Sequence, residues 1–160
     1  LLDRLHRALP AYVPVDEPYS VLVEEGHEFA QMPGLEDFET QLDRSIDLIA
    51  ESDEDSVFDR CPADILAYLV THLDARRFDV ETWLPRCRDA MDRLDLIVYV
   101  PVEEPDRIGH SEVEDLSLRG RVDEKLREML SRGWGFEVEI LEVPWAATER
   151  LRQVLTHIGG

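Results

Sequence analysis

Lysine is almost absent: Lys125 is the single one in 160 residues, set between Glu124 and Leu126 with no glycine loop before it. A phosphate loop of the G-x-x-x-x-G-K-[ST] kind needs that lysine and a run of backbone amides around the phosphates, so these residues do not contain one. Positive charge is scarce altogether. Seventeen Lys and Arg face 36 Asp and Glu, a formal charge of −19. A surface that negative repels a phosphate backbone, which argues against general binding to DNA, RNA or anionic membrane and leaves only local basic pockets for small anions. Long apolar runs are missing too. The longest, Ile65 to Val70, has six residues, where a membrane span needs about 20. No basic and apolar leader opens the chain. Cysteine is limited to Cys61 and Cys87, with neither metal-ligand spacing nor a disulfide framework. These absences predict a soluble, cytoplasmic protein with no nucleic-acid or membrane partner.

What is present is enough to fold. Hydrophobic residues make up 44% and charged ones 33%, a globular composition, and a chain of this length suits one domain with a substantial core. Leu2, Leu5 and Leu9 share a helical face that Pro10 closes, followed by an extended Tyr12–Val15 that ends at Asp16-Glu17-Pro18. Leu35, Phe38, Leu42, Ile46 and Ile49 predict a helix from about Leu35 to Ser52. Ser56-Val57-Phe58 reads as a brief strand closed by Asp59-Arg60, and Pro62 suits the first turn of the next helix. Thr82 is placed to cap a helix carrying Leu84, Cys87, Met91 and Leu94. Leu96 to Val100 is a continuous apolar strand of the type buried on both faces of a parallel sheet. A charged stretch follows at about 103–132, lid-like at first and helical around Val122, Leu126 and Met129. Phe136–Val143 alternates as a strand, and Leu151, Val154, Leu155 and Ile158 stripe a last helix.

Strands alternating with helices predict a three-layer α/β/α domain over 1–160 with a parallel sheet. The chain opens at Leu1 already in a helical pattern. The expectation is that a first strand and a phosphate loop belong upstream of it, and that the sheet keeps a slot for that strand.

In such sheets ligands lie beyond the carboxyl ends of the strands. Two strands end there in polar residues, one at Glu17-Pro18 and one at Asp59-Arg60. A carboxylate so placed can hold magnesium or its waters, or accept a proton from an attacking hydroxyl, and a neighbouring arginine can grip a phosphate with two hydrogen bonds. The plainer alternative is a strand cap whose charges satisfy one another. Five histidines show no ligand spacing, and Trp83, Trp134 and Trp145 read as packing residues.

Phe58-Asp59-Arg60-Cys61-Pro62 with the later Leu66-Ala67-Tyr68 resembles the strand-end D-R-Y/S segment of the thymidylate kinase and deoxynucleoside kinase group. Asp16-Glu17-Pro18 resembles that group's E-P segment, Asp43-Arg44 its A-D-R helix, and Leu94 to Val100 its P-D-L strand. Arg119-Gly120-Arg121 falls where the group keeps a lid arginine, and the ending Glu142-Val143-Pro144 is similar to small AAA-type ATPase domains. The resemblance implies a P-loop fold, ATP and magnesium as cofactors, and phosphoryl transfer to a small-molecule acceptor. It implies that Asp59 orients magnesium through water and that Glu17 positions or deprotonates the acceptor hydroxyl. By the same likeness Arg60 and Arg44 hold an acceptor phosphate or the moving phosphoryl, Arg119 and Arg121 close from a lid, and Gln41 touches a base edge. Left open are a P-loop ATPase or regulatory nucleotide-binding domain without an acceptor, a non-catalytic interaction domain, and a homodimeric assembly.

Overall fold

The computed structural model describes residues 1–31, 33–53, 55–72, 75–102, 116–131, 133–144 and 146–159, with the side chains of Leu116 and Ser117 left aside. Seven α-helices and four strands follow one another along the described residues, with a short 3-10 turn at Ala75–Arg77: α1 Leu2–Ala8, β1 Val13–Val15, α2 Pro18–Glu24, α3 Leu35–Glu51, β2 Ser56–Phe58, α4 Pro62–Thr71, α5 Val80–Met91, β3 Leu96–Tyr99, α6 Leu116–Ser131, β4 Glu139–Glu142 and α7 Ala147–Gly159. Among the described residues no helix is long and apolar enough to cross a membrane.

Local chemistry accounts for the boundaries. Pro18 and Pro62 open α2 and α4 at the position where a missing N–H costs nothing. The Gly34 N–H donates to Asp37 at 2.9 Å, which fixes the start of α3. At α5 the cap lies three residues earlier than Thr82: Asp79 occupies it, and Thr82 donates to the Asp79 carboxylate at 2.7 Å from inside the first turn. Helix α2 has no counterpart in the sequence pattern. It buries only Pro18 and Leu22, too short a stripe for periodicity to reveal.

All pairings are parallel, but the strands do not form one sheet. β1 lies beside β2, with Val13 opposite Ser56 and Val15 opposite Phe58. β3 lies beside β4, with Leu96 opposite Glu139 and Tyr99 opposite Glu142. β4 is four residues long rather than the eight of Phe136–Val143, because its ladder partner β3 offers only four.

Side chains alternate across the strands. Ile97 and Tyr99 of β3 join Ala63, Met91 and Leu130 from α4, α5 and α6. Val57, Val98 and Val100 pack instead with Leu5 of α1 and Val154 of α7. Beneath the first group a larger core holds Leu42, Leu66, Leu69, Cys87, Val122 and Met129, with Trp83 and Trp134 against it as packing residues. The stretch expected to act as a lid divides: residues 103–115 lie outside the described residues, and 116–131 form α6, anchored by buried Val122 and Met129. Trp145 also lies outside the described residues.

Candidate functional site

The carboxyl ends of β1 and β2 lie side by side because the two strands run in register, and the Asp59 N–H donates to the Val15 carbonyl at 2.9 Å just past them. From β1 the chain passes through Asp16 to Glu17, which takes the N-cap position of α2. From β2 it passes through Asp59 to Arg60, whose φ of +69° is left-handed. That conformation is costly for a residue with a Cβ. It turns the backbone sharply into Cys61, the N-cap residue of α4.

The turn brings the Arg60 guanidinium between two carboxylates. Its Nε donates to Glu17 at 3.0 Å and its Nη1 donates to Asp64 at 2.8 Å, while the group lies 5.8 Å from the centre of the Tyr68 ring. Burial works against the Arg60 charge, but the Asp64, Tyr68 and Glu17 charges outweigh it and raise the pKa further. Burial also pushes the Asp64 carboxyl above its ordinary value, and Arg60 offsets only part of that. Asp59 is exposed and lacks such an ion pair among the described residues. Cys61 is pushed up to about 11, chiefly by burial and then by the Asp64 charge. A thiol so shifted is a small packing residue, not a nucleophile.

The sequence-predicted residues therefore separate into two sets. Glu17, Asp59 and Arg60 come together at one sheet edge. Arg44 and Gln41 are on α3, where Arg44 is ion-paired to Glu25 at 2.7 Å and Glu51 at 2.9 Å, and Gln41 donates to the Asp37 carbonyl. Arg119 and Arg121 are on the first turns of α6. Neither pair lines the cavity beside Asp59. Asp64 has no role in the sequence reading and joins the site only in the structure. Helical spacing does not signal it, because Arg60 precedes the helix and reaches Asp64 through its left-handed turn.

Asp59, Arg60 and Asp64 lie on the wall of a cavity of about 1000 Å³. The cavity runs between β2 and β3, with Val57 and Phe58 on one side and Ile97 and Val98 on the other. A second polar cluster marks the carboxyl end of β3 and β4. There the Tyr99 hydroxyl donates to Asp123 at 2.7 Å, and Arg127 lies 5.3 Å from the Tyr99 ring centre. Burial and the Asp123 hydrogen bond push the Tyr99 phenol up to about 12, so it serves as a hydrogen-bond donor and not as a phenolate base.

No family model, no curated protein and no solved structure matches this chain.

Proposed function

We propose that the chain is the body of an ATP-dependent phosphotransferase of the nucleoside or nucleotide kinase type, three-layered and P-loop-like, acting on a small-molecule acceptor. The carrying observation is the convergence of Glu17, Asp59 and Arg60 at the carboxyl ends of two paired strands, with Asp59 and Arg60 on the wall of the cavity. In parallel α/β sheets this edge is where ligands bind.

Asp59 fits magnesium in one way only. Among the described residues no group of three or more His, Cys, Asp or Glu could hold a metal. A single exposed carboxylate suits an ion that keeps most of its waters and takes its remaining oxygens from phosphates. ATP, when bound, supplies the phosphoryl group, and the reading requires a phosphate loop from polypeptide outside these residues. Asp59 would orient the hydrated magnesium. Glu17 would position the acceptor hydroxyl, and Arg60 would stabilise charge on the phosphoryl oxygens once it exchanges one carboxylate for a phosphate. Arg44 and Gln41 on α3, and Arg119 and Arg121 on α6, would come toward the ligands from neighbouring elements. The cytoplasm, where ATP is abundant, suits this activity.

One observation favours the second reading, a nucleotide-binding ATPase without an acceptor. Glu17 is already engaged, by Arg60 at one carboxylate oxygen and by the Ser20 hydroxyl at the other. The test is phosphorus NMR of the protein expressed from its natural start codon, given magnesium-ATP with and without a panel of nucleosides and nucleoside monophosphates. A new phosphate ester supports the kinase. ADP and inorganic phosphate alone, at the same rate with every acceptor, support the ATPase. Unchanged ATP with no bound nucleotide overturns both.

A further inference from the structure

The gap between the two strand pairs has a specific shape and polarity. In a parallel ladder both polar groups of a residue point to one side, and those of the next residue point to the other. The Asp55 carbonyl accepts from Val13 and the Asp59 N–H donates to Val15, so on β2 the odd-numbered backbone groups face β1. Those of Ser56 and Phe58 face the gap. The Tyr99 carbonyl accepts from the Val143 N–H, so on β3 Ile97 and Tyr99 face β4. Those of Leu96 and Val98 face the gap. None of these four residues has another backbone partner among the described residues. Strand edges left open in this way are strong templates for pairing, and interior backbone groups are nearly always paired.

The cavity walls above and below the gap are apolar. Leu5 and Val154 line one face of it, Leu126 and Leu130 the other. A peptide entering here would be covered on both sides. Helix α1 fixes where such a peptide would lead. A short turn joins Leu9 to Val13, and Leu5 shares a buried cluster with Val143 just past the carboxyl end of β4, so α1 leads back from the start of β1 toward the carboxyl edge of the strands. Leu1, Leu2 and Leu5 line the cavity from there. A strand running in the same direction as its neighbours would leave the gap at that edge, one turn from Leu1.

We propose that the gap between β2 and β3 is the seat of a fifth parallel strand, apolar on both faces, from this protein's own polypeptide ahead of Leu1. That strand joins the two pairs in the order β1, β2, inserted strand, β3, β4 and leads directly into α1. It takes hydrogen bonds from Ser56 and Phe58 on one side and from Leu96 and Val98 on the other. The inference does not rest on the phosphotransferase reading, since the open edges need a partner whatever the chemistry at their ends.

The test is amide exchange and cross-strand NMR contacts on the protein expressed from its natural start codon, without nucleotide. The expected result is protection of the Ser56, Phe58, Leu96 and Val98 amides by roughly 10²-fold or more over exposed amides, independent of protein concentration. Backbone contacts from β2 and β3 should run to residues ahead of Leu1. Three results overturn the proposal: exchange of these four amides at exposed rates; direct contacts between Ser56–Phe58 and Leu96–Val98; or protection that appears only with rising concentration, which makes a second copy the occupant. Turnover is not part of this measurement, so its outcome is separate from that of the kinase assay.

Discussion

Replacing Asp59 with Asn separates a working carboxylate from a structural one. Asn keeps the size and most hydrogen bonding of the side chain and removes only the charge. The carboxylate is exposed, and its neighbours Glu17 and Asp64, not Asp59, hold Arg60. Its charge also helps to raise the Asp64 pKa, so removing it relieves a small repulsion. The expected stability change is within about 0.5 kcal/mol, as for surface substitutions generally. For a chain of this size that is a shift in melting temperature of no more than about 2 °C. If Asp59 orients hydrated magnesium, turnover should fall by roughly 10²-fold, or about 2.7 kcal/mol of transition-state stabilisation. The assay pairs calorimetric melting with ATP turnover per folded molecule, on protein made from its natural start codon. Lost melting temperature with retained turnover would refute the reasoning and make Asp59 a strand cap.

The neighbouring residues carry their own expectations. Arg60→Gly and Arg60→Ala both lose the two ion pairs, but only Ala keeps the left-handed strain at φ +69°; Gly should be the more stable by about 1 kcal/mol in denaturant titration, and equal midpoints would refute the strain argument. A carboxyl whose pKa is raised on folding, as that of Asp64 is by burial, binds its proton more tightly in the folded state. Its contribution is fully present below the ordinary aspartate value and is lost as pH rises through the shifted one. The stability difference between the native protein and Asp64→Asn should therefore move against the native protein over that rise, and a flat difference would contradict it. With Cys61 near 11 and Cys87 near 12, both raised first by burial, the thiolate fraction at pH 8 is about 10⁻³ or less. Thiol reagents should label neither cysteine at an appreciable rate until the chain unfolds; fast labelling of the folded protein would show the site to be more open than described.

How much of this could be read from the sequence depended on how local each cause was. Helix α3 was legible because Leu35, Phe38, Leu42, Ile46 and Ile49 repeat at helical spacing, and all of them contribute to buried packing. β3 was legible because one apolar run serves clusters on both its faces. The start of α4 followed from Pro62 alone. What failed was non-local. The length of β4 is set by its partner, 43 residues away in register, and not by its own alternation. The separation of the strands into two pairs depends on which edges meet, and no single segment carries that information. At the site, the Arg60–Asp64 contact depends on the left-handed turn at Arg60, and the Glu17–Arg60 contact joins residues 43 apart and needed the β1–β2 register to be known.

The charge at the site constrains any account of what binds there. Arg60 sits among Glu17, Asp59 and Asp64, so the cluster attracts cations more than anions while Arg60 remains clasped. A free phosphate must displace one carboxylate from the guanidinium and approach a protein of charge −19, two costs that oppose loose anion binding. On the proposed reading a magnesium-bound triphosphate would differ, because the metal would offer Asp59 an opposite charge as the phosphate oxygens reach Arg60. On that reading the arrangement would discriminate by coupling: a free anion would be poorly served and would be accommodated only with its cation, which is specificity obtained by penalising the wrong ligand as well as favouring the right one.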